Sequence, residues 1–235
     1  MGSFKEENMF KNFLSFWRGK DFLTQILEDF NKMSEDTENM LRSVLNKLLE
    51  FKEEAGLKER IYSLDKKVNE FEREIRKRIV EHLSVQPTVD VPACLLMMSV
   101  VKDAERIGDY CKNLYEVTEL LEKPLDRNKF RQLFDDIDEK LMDELSKTRN
   151  AFRNSDEKMA RDVLDIESFI VRKCDEILKK LSSSNLDTNE AVCYTLVARY
   201  FKRIAAHLAN IGSSVILPIS DLDFFDEKER RKKAK

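Results

Sequence analysis

Glu105-Arg-Ile-Gly-Asp-Tyr-Cys-Lys-Asn-Leu114 returns 97 residues later as Lys202-Arg-Ile-Ala-Ala-His-Leu-Ala-Asn-Ile211. Arg106 and Arg203, Ile107 and Ile204, and Asn113 and Asn210 coincide, and the helix breakers fall at similar places around each copy. The chain therefore reads as one three-helix unit used twice. Working outward, a first helix is expected from Asp21 to Glu53 before Gly56, and a second from Leu57 to Leu83. Pro87 and Pro92 bracket a short connection, after which a third helix runs from Ala93 to about Glu122 and is stopped by Pro124. A fourth is expected from Asp126 to Asn154-Ser155-Asp156, whose capping chemistry starts a fifth that lasts to Leu181. After the Ser182–Asn185 loop, Asp187 or Thr188 caps a sixth that ends before Pro218.

The expected fold class is all-α, two tandem three-helix bundles made of six long antiparallel helices, since short connections force neighbours to run opposite ways. The expected divisions are an N-terminal aromatic amphipathic segment (1–20), a first repeat (21–123), a second repeat (124–218) and a polar basic tail (219–235). Phe10, Phe13, Phe16 and Trp17 give the first segment its helical spacing.

Composition supports helices and excludes several classes of function. Of 235 residues, 37% are charged and 42% hydrophobic, with only five Gly and four Pro to interrupt helical runs. A net charge of −3, with 42 basic and 45 acidic residues intermingled, argues against a protein that neutralises nucleic-acid phosphates. The basic run Lys228–Lys235 suits a solvated tail or a contact with an anionic surface. The longest apolar window, Ala93 to Val101, is about half of what a membrane span needs. No secretory signal is visible, so a cytoplasmic location is expected. Cys94, Cys111, Cys174 and Cys193 are scattered among apolar residues, as reduced core cysteines are. His82 and His207 lack partners at metal-ligand spacing, and no Gly-rich phosphate loop or nucleophile–base pair can be assembled, so a non-enzyme is expected.

The chemistry-bearing pattern is a stripe of oxygen ligands. The core stripe of the third helix reads Leu96, Val100, Ala104, Ile107, Cys111, Leu114 and Leu121, and beside it Glu105, Asp109 and Asn113 stack one turn apart. The second helix repeats this: Leu64, Val68, Phe71, Ile75 and Ile79 are flanked by Asp65, Asn69 and Glu72. Antiparallel packing of the two helices brings both rows to one groove, and oxygen donors without thiolate suit Mg, Mn or Fe. The same spacing also fits solvated carboxylates in ion pairs with Lys102 or Arg106.

Asp65-Lys-Lys-Val-Asn69-Glu-Phe-Glu72-Arg-Glu-Ile75, then Gln86-Pro87 and Asp90, then Glu105-Arg-Ile-Gly-Asp109-Tyr-Cys-Lys-Asn113 resemble, in order and spacing, the repeat of the PhoU family. The second repeat matches more loosely, through Lys202 to Ile211. The resemblance implies two symmetrical three-helix bundles, a homodimer, and negative regulation of phosphate uptake through contact with a phosphate transporter and a sensor histidine kinase. Membrane association would then be peripheral, through the partner. It also implies metal (Fe, Mn, Mg or Zn) at the first repeat, with Glu105 and Asp109 as motif carboxylates and Asp65, Asn69 and Glu72 as supporting ligands. Arg106 and Asn113 are motif positions without an assigned role.

Two departures stand out. Lys202 and Ala206 replace the motif carboxylates of the second repeat, which opposes metal there, and Asp90-Val91-Pro92 stands where the family has Asp-Leu-Arg. The alternatives are a helical scaffold without metal and a regulator of a different transporter.

Overall fold

The computed structural model of the chain describes residues 21–50, 54–123 and 125–222. The expectations for the aromatic N-terminal segment and for the basic run at the end of the tail lie outside them. Seven α-helices occur among the described residues: α1 (Asp21–Glu50), α2 (Leu57–Val85), α3 (Val91–Leu120), α4 (Arg127–Phe134), α5 (Ile137–Asn154), α6 (Glu157–Ser182) and α7 (Thr188–Ser213), followed by a 3-10 turn at Ile219–Asp221. Helices α1, α2 and α3 pack on one another as one bundle and α5, α6 and α7 as a second. The two are joined chiefly along α3 and α7, the third helix of each, with α1 against α5 beside them.

The chain reverses on residues in the left-handed region: Gly56 (φ 76) before α2, Asp90 (φ 59) before α3 and Ser155 (φ 53) after α5. Asp126, Asp156 and Asp187 cap their helices with side-chain oxygens, accepting from the backbone N–H of Asn128 and Lys129, of Met159 and of Glu190. Each such cap satisfies a donor the first turn leaves open, worth about 1 kcal/mol.

Three boundaries differ from the sequence expectation. α3 begins at Val91, so Pro92 lies inside its first turn, where a missing N–H removes no intrahelical bond. α7 ends at Ser213 rather than at Pro218. The fourth helix is two helices, broken at Asp135 and Asp136. Asp135 has φ 58 and ψ −121, a conformation costing a non-glycine residue about 1–3 kcal/mol. Arg131 holds it: Nη1 donates to the Asp135 carbonyl at 2.8 Å and to Asp138 Oδ1 at 2.7 Å, while Nη2 donates to Asp138 Oδ2 at 3.0 Å. The break lets Phe130 and Phe134 of α4 and Ile137 and Leu141 of α5 all reach the core.

Aromatic residues join the bundles at one point and fill the core of the second. Phe30 of α1 lies 4.8 Å, centroid to centroid, from Phe152 of α5; Phe130 and Phe134 stack at 4.4 Å; Phe201 of α7 meets Phe134 edge-on. Burying each such ring contributes roughly 1.5–3 kcal/mol. All four cysteines are free and buried, and burial pushes the Cys94 thiol up to about 11 and that of Cys174 to about 12. They pack as small apolar side chains. Close helix approach occurs at Gly212, where a Cβ would stand 2.9 Å from Val163 Cγ1.

Candidate functional site

α2 and α3 place the sequence-identified residues on one face of the first bundle. Asp65 is buried, while Asn69, Glu72, Glu105, Asp109 and Asn113 are half-buried and Arg106 is exposed. The core stripe of α2 is rotated from the expected one. Leu57, Ile61, Asp65 and Val68 are buried, whereas Leu64 and Phe71 are only partly covered. Asp65 thus sits at the edge of the core, aimed toward α3.

Four carboxylates meet three cations on this face. Lys112 Nζ, one turn beyond Asp109 on α3, donates to Asp65 Oδ2 at 2.8 Å and to Asp109 Oδ1 at 3.3 Å. Arg106 Nη1 donates to the other oxygen of Asp109 at 3.0 Å, and its Nε lies 3.6 Å from Glu105 Oε2. Glu72 pairs with Arg76 at 2.9 Å. Burial, then the neighbouring Asp109, push the Glu105 carboxyl up; Arg106 opposes this, and Glu72 and Asp65 add to it. Burial pulls the Lys112 ammonium down, but Asp65 and Asp109 outweigh it and hold the group above its ordinary value. Their fields reach one another, so the residues do share a face.

The arrangement does not form a coordination sphere. Among the described residues no group of three or more His, Cys, Asp or Glu is placed to hold a metal ion. The donor types suit a hard cation, but Lys112 fills the space between Asp65 and Asp109, and Arg106 and Arg76 pair with Asp109, Glu105 and Glu72. The residues as they stand do not fit the metal that the resemblance implies. In the second repeat, Lys202 donates to Asp175 Oδ1 at 2.6 Å, so the cation at the motif position there is also committed to a carboxylate.

Two polar clusters escaped the sequence reading. At the α3–α7 seam, Asp103 is only 1% exposed, and its Oδ1 lies 2.7 Å from His207 Nδ1 and accepts from Asn210 Nδ2 at 3.2 Å. Tyr110 stacks on His207 with centroids 5.7 Å apart and meets Tyr200 at 5.9 Å. The signal was a second apolar stripe on the third helix, Ala93, Met97, Val101, Gly108 and Tyr115, which marks it as covered on two sides. Inside the second bundle, Glu144 of α5 is fully buried and neither carboxyl oxygen has a hydrogen-bond partner; Thr148, one turn on, also has an unpartnered hydroxyl. Burial first, then Glu167 of α6 and Asp143, push the Glu144 carboxyl well above the ordinary range.

A double three-helix bundle whose third helices form the central seam, with a carboxylate-rich face on the first repeat, defines the structural class of the protein. The PhoU domain model matches residues 30–118 and 139–215, one match in each bundle, and the chain belongs to the PhoU family. It is 22% identical over 177 residues to a phosphate-specific transport system accessory protein PhoU homolog of Clostridium acetobutylicum, covering 72% of this chain and 80% of that one. The fold is similar to the crystal structure of PhoU from Pseudomonas aeruginosa (TM-score 0.72, 22% identity, 85% of this chain and 97% of that one). It is also similar to that of the phosphate transport system regulatory protein PhoU from Streptococcus pneumoniae (TM-score 0.71, 17% identity, 82% and 92%). The all-α, tandem-bundle reading of the sequence is thereby borne out.

Proposed function

We propose that this chain is an accessory regulator of phosphate uptake and phosphate signalling, acting without catalysis through contact with a phosphate transporter, a sensor histidine kinase, or both. The observation that carries this reading is the match of the family model to both bundles. The accessory role printed for the Clostridium relative supports it. No helix among the described residues is long and apolar enough to cross a membrane, so membrane contact in this reading comes through the partner. Homodimer formation and a cytoplasmic location belong to the same proposal, and none of it depends on a bound metal.

A second reading, regulation of a different transporter, is favoured by the turn between α2 and α3. Asp90-Val91-Pro92 supplies no basic side chain there, and Asp90 lies 3.4 Å from His82 instead of facing outward.

The test is affinity capture of the tagged full chain from its own organism at low and high phosphate, with phosphate uptake measured in a deletion strain. Recovery of transporter or kinase subunits with derepressed uptake on deletion is the expected result. Capture of a different transporter with unchanged phosphate uptake selects the second reading, and unchanged uptake with neither partner overturns both.

A further inference from the structure

We infer that Lys112 is a built-in cation that stands in a metal's place on the first repeat and closes its carboxylate face to metal ions. The ammonium lies between carboxylates carried by two different helices, 2.8 Å from Asp65 Oδ2 and 3.3 Å from Asp109 Oδ1. That is what a bridging cation does: it offsets the repulsion between two converging charges and ties α2 to α3. Arg106 pairs with Glu105 and with the other oxygen of Asp109, and Arg76 with Glu72. Four negative groups therefore already meet three fixed positive ones.

A divalent ion approaching Asp65 and Asp109 would share their oxygens with an ammonium at contact distance, and like charges repel steeply at such separations where water is partly excluded. Displacing Lys112 requires breaking two charge-assisted bonds at a site where its side chain is only 22% exposed. Lys112 also has the advantage of a tether. It emerges three residues after Asp109 on the same helix, so its local concentration at the carboxylates far exceeds that of a free ion. The second repeat commits a lysine across its own α6–α7 seam, from Lys202 to Asp175.

The test is titration of Mn2+ and Zn2+ into metal-stripped protein by calorimetry, with elemental analysis of the washed protein. It compares the parent, Glu105→Gln/Asp109→Asn, Lys112→Met, and Lys112→Met carrying Glu105→Gln and Asp109→Asn. Methionine keeps an unbranched stem against the helix face, Lys112→Gln serves if it fails to fold, and far-UV circular dichroism checks each variant. The expected result is no stoichiometric metal in the parent, about one equivalent in Lys112→Met with affinity raised at least tenfold, and loss of that binding in the triple variant. Stoichiometric metal in the parent that Glu105→Gln/Asp109→Asn removes would overturn the inference. So would absence of binding in both the parent and Lys112→Met, because the lysine would then not be what excludes the ion.

Discussion

Replacing Glu144 by methionine is expected to make the protein more stable at neutral pH and to flatten the dependence of its stability on pH. Glu144 is fully buried, neither oxygen is hydrogen-bonded, and the charges that reach it, Glu167 across the α5–α6 contact and Asp143 on its own helix, are both negative. The cations on the neighbouring helices are committed elsewhere or face solvent. Arg149 of α5 reaches Glu35 and Glu38 on α1, Lys202 binds Asp175, His207 binds Asp103, and Arg199 and Arg203 are exposed. The folded protein therefore holds Glu144 as the neutral acid, whereas the unfolded chain ionises it near the ordinary glutamate value of about 4.3. The folded pKa is the higher one. The stability this proton contributes is complete below the unfolded value and falls by about 1.4 kcal/mol per pH unit above it, until the folded value is reached. Methionine has similar length and no polar atom, so it also removes a buried unsatisfied group costing roughly 1–3 kcal/mol. Urea denaturation from pH 5 to 8 measures both effects. Asp36 and Glu105, whose carboxyls are also raised, are common to the two proteins and cancel in the difference. Equal pH slopes for parent and variant, or a variant less stable at pH 7, would refute the reasoning by showing that Glu144 is charged and partnered.

Gly212→Ala should destabilise the second bundle by about 1–3 kcal/mol, since the new methyl meets Val163 Cγ1 at 2.9 Å and the Ala160 carbonyl oxygen stands 3.8 Å away; thermal melts of the folded variant measure it. Asp103→Ala removes an acceptor shared by His207 and Asn210 across the α3–α7 seam and should cost about 1.5–3 kcal/mol. That loss is read from urea midpoints, and hydrogen exchange should show loosened protection on α3 and α7 before α2 or α6.

Most of the helical frame could be read from the chain because it rests on local chemistry. Asp126, Asp156 and Asp187 cap the helices they precede, and Gly56 interrupts the chain where a left-handed residue is needed. The break at Asp135 could not, since no Gly or Pro marks it and its conformation is held by Arg131 and by the pull of Phe134 and Ile137 toward the core. The carboxylate face was legible as spacing. Its partners were only half so: Arg106 had been foreseen as an ion-pair partner, but Lys112 gains its role by reaching across to Asp65 on another helix. Asp103 and Glu144 look like ordinary surface charges in a chain that is 37% charged. Only the packing of the second bundle, and of one bundle on the other, buries them.

The seam between the bundles departs from the symmetry that the repeat implies. Asp103 and Tyr200 stand 97 residues apart, as do Tyr110 and His207, so each pair occupies equivalent places in the two repeats. The contact of Asp103 with His207 is therefore the symmetry mate of the contact between Tyr200 and Tyr110. In a dimer of identical single repeats, both contacts would be made by the same two residue types, and any mutation would change both at once. With both halves on one polypeptide that constraint is absent. One contact is an acid–imidazole bond and the other a pair of phenol rings, so the two ends of the seam differ in chemistry although the repeats place them equivalently.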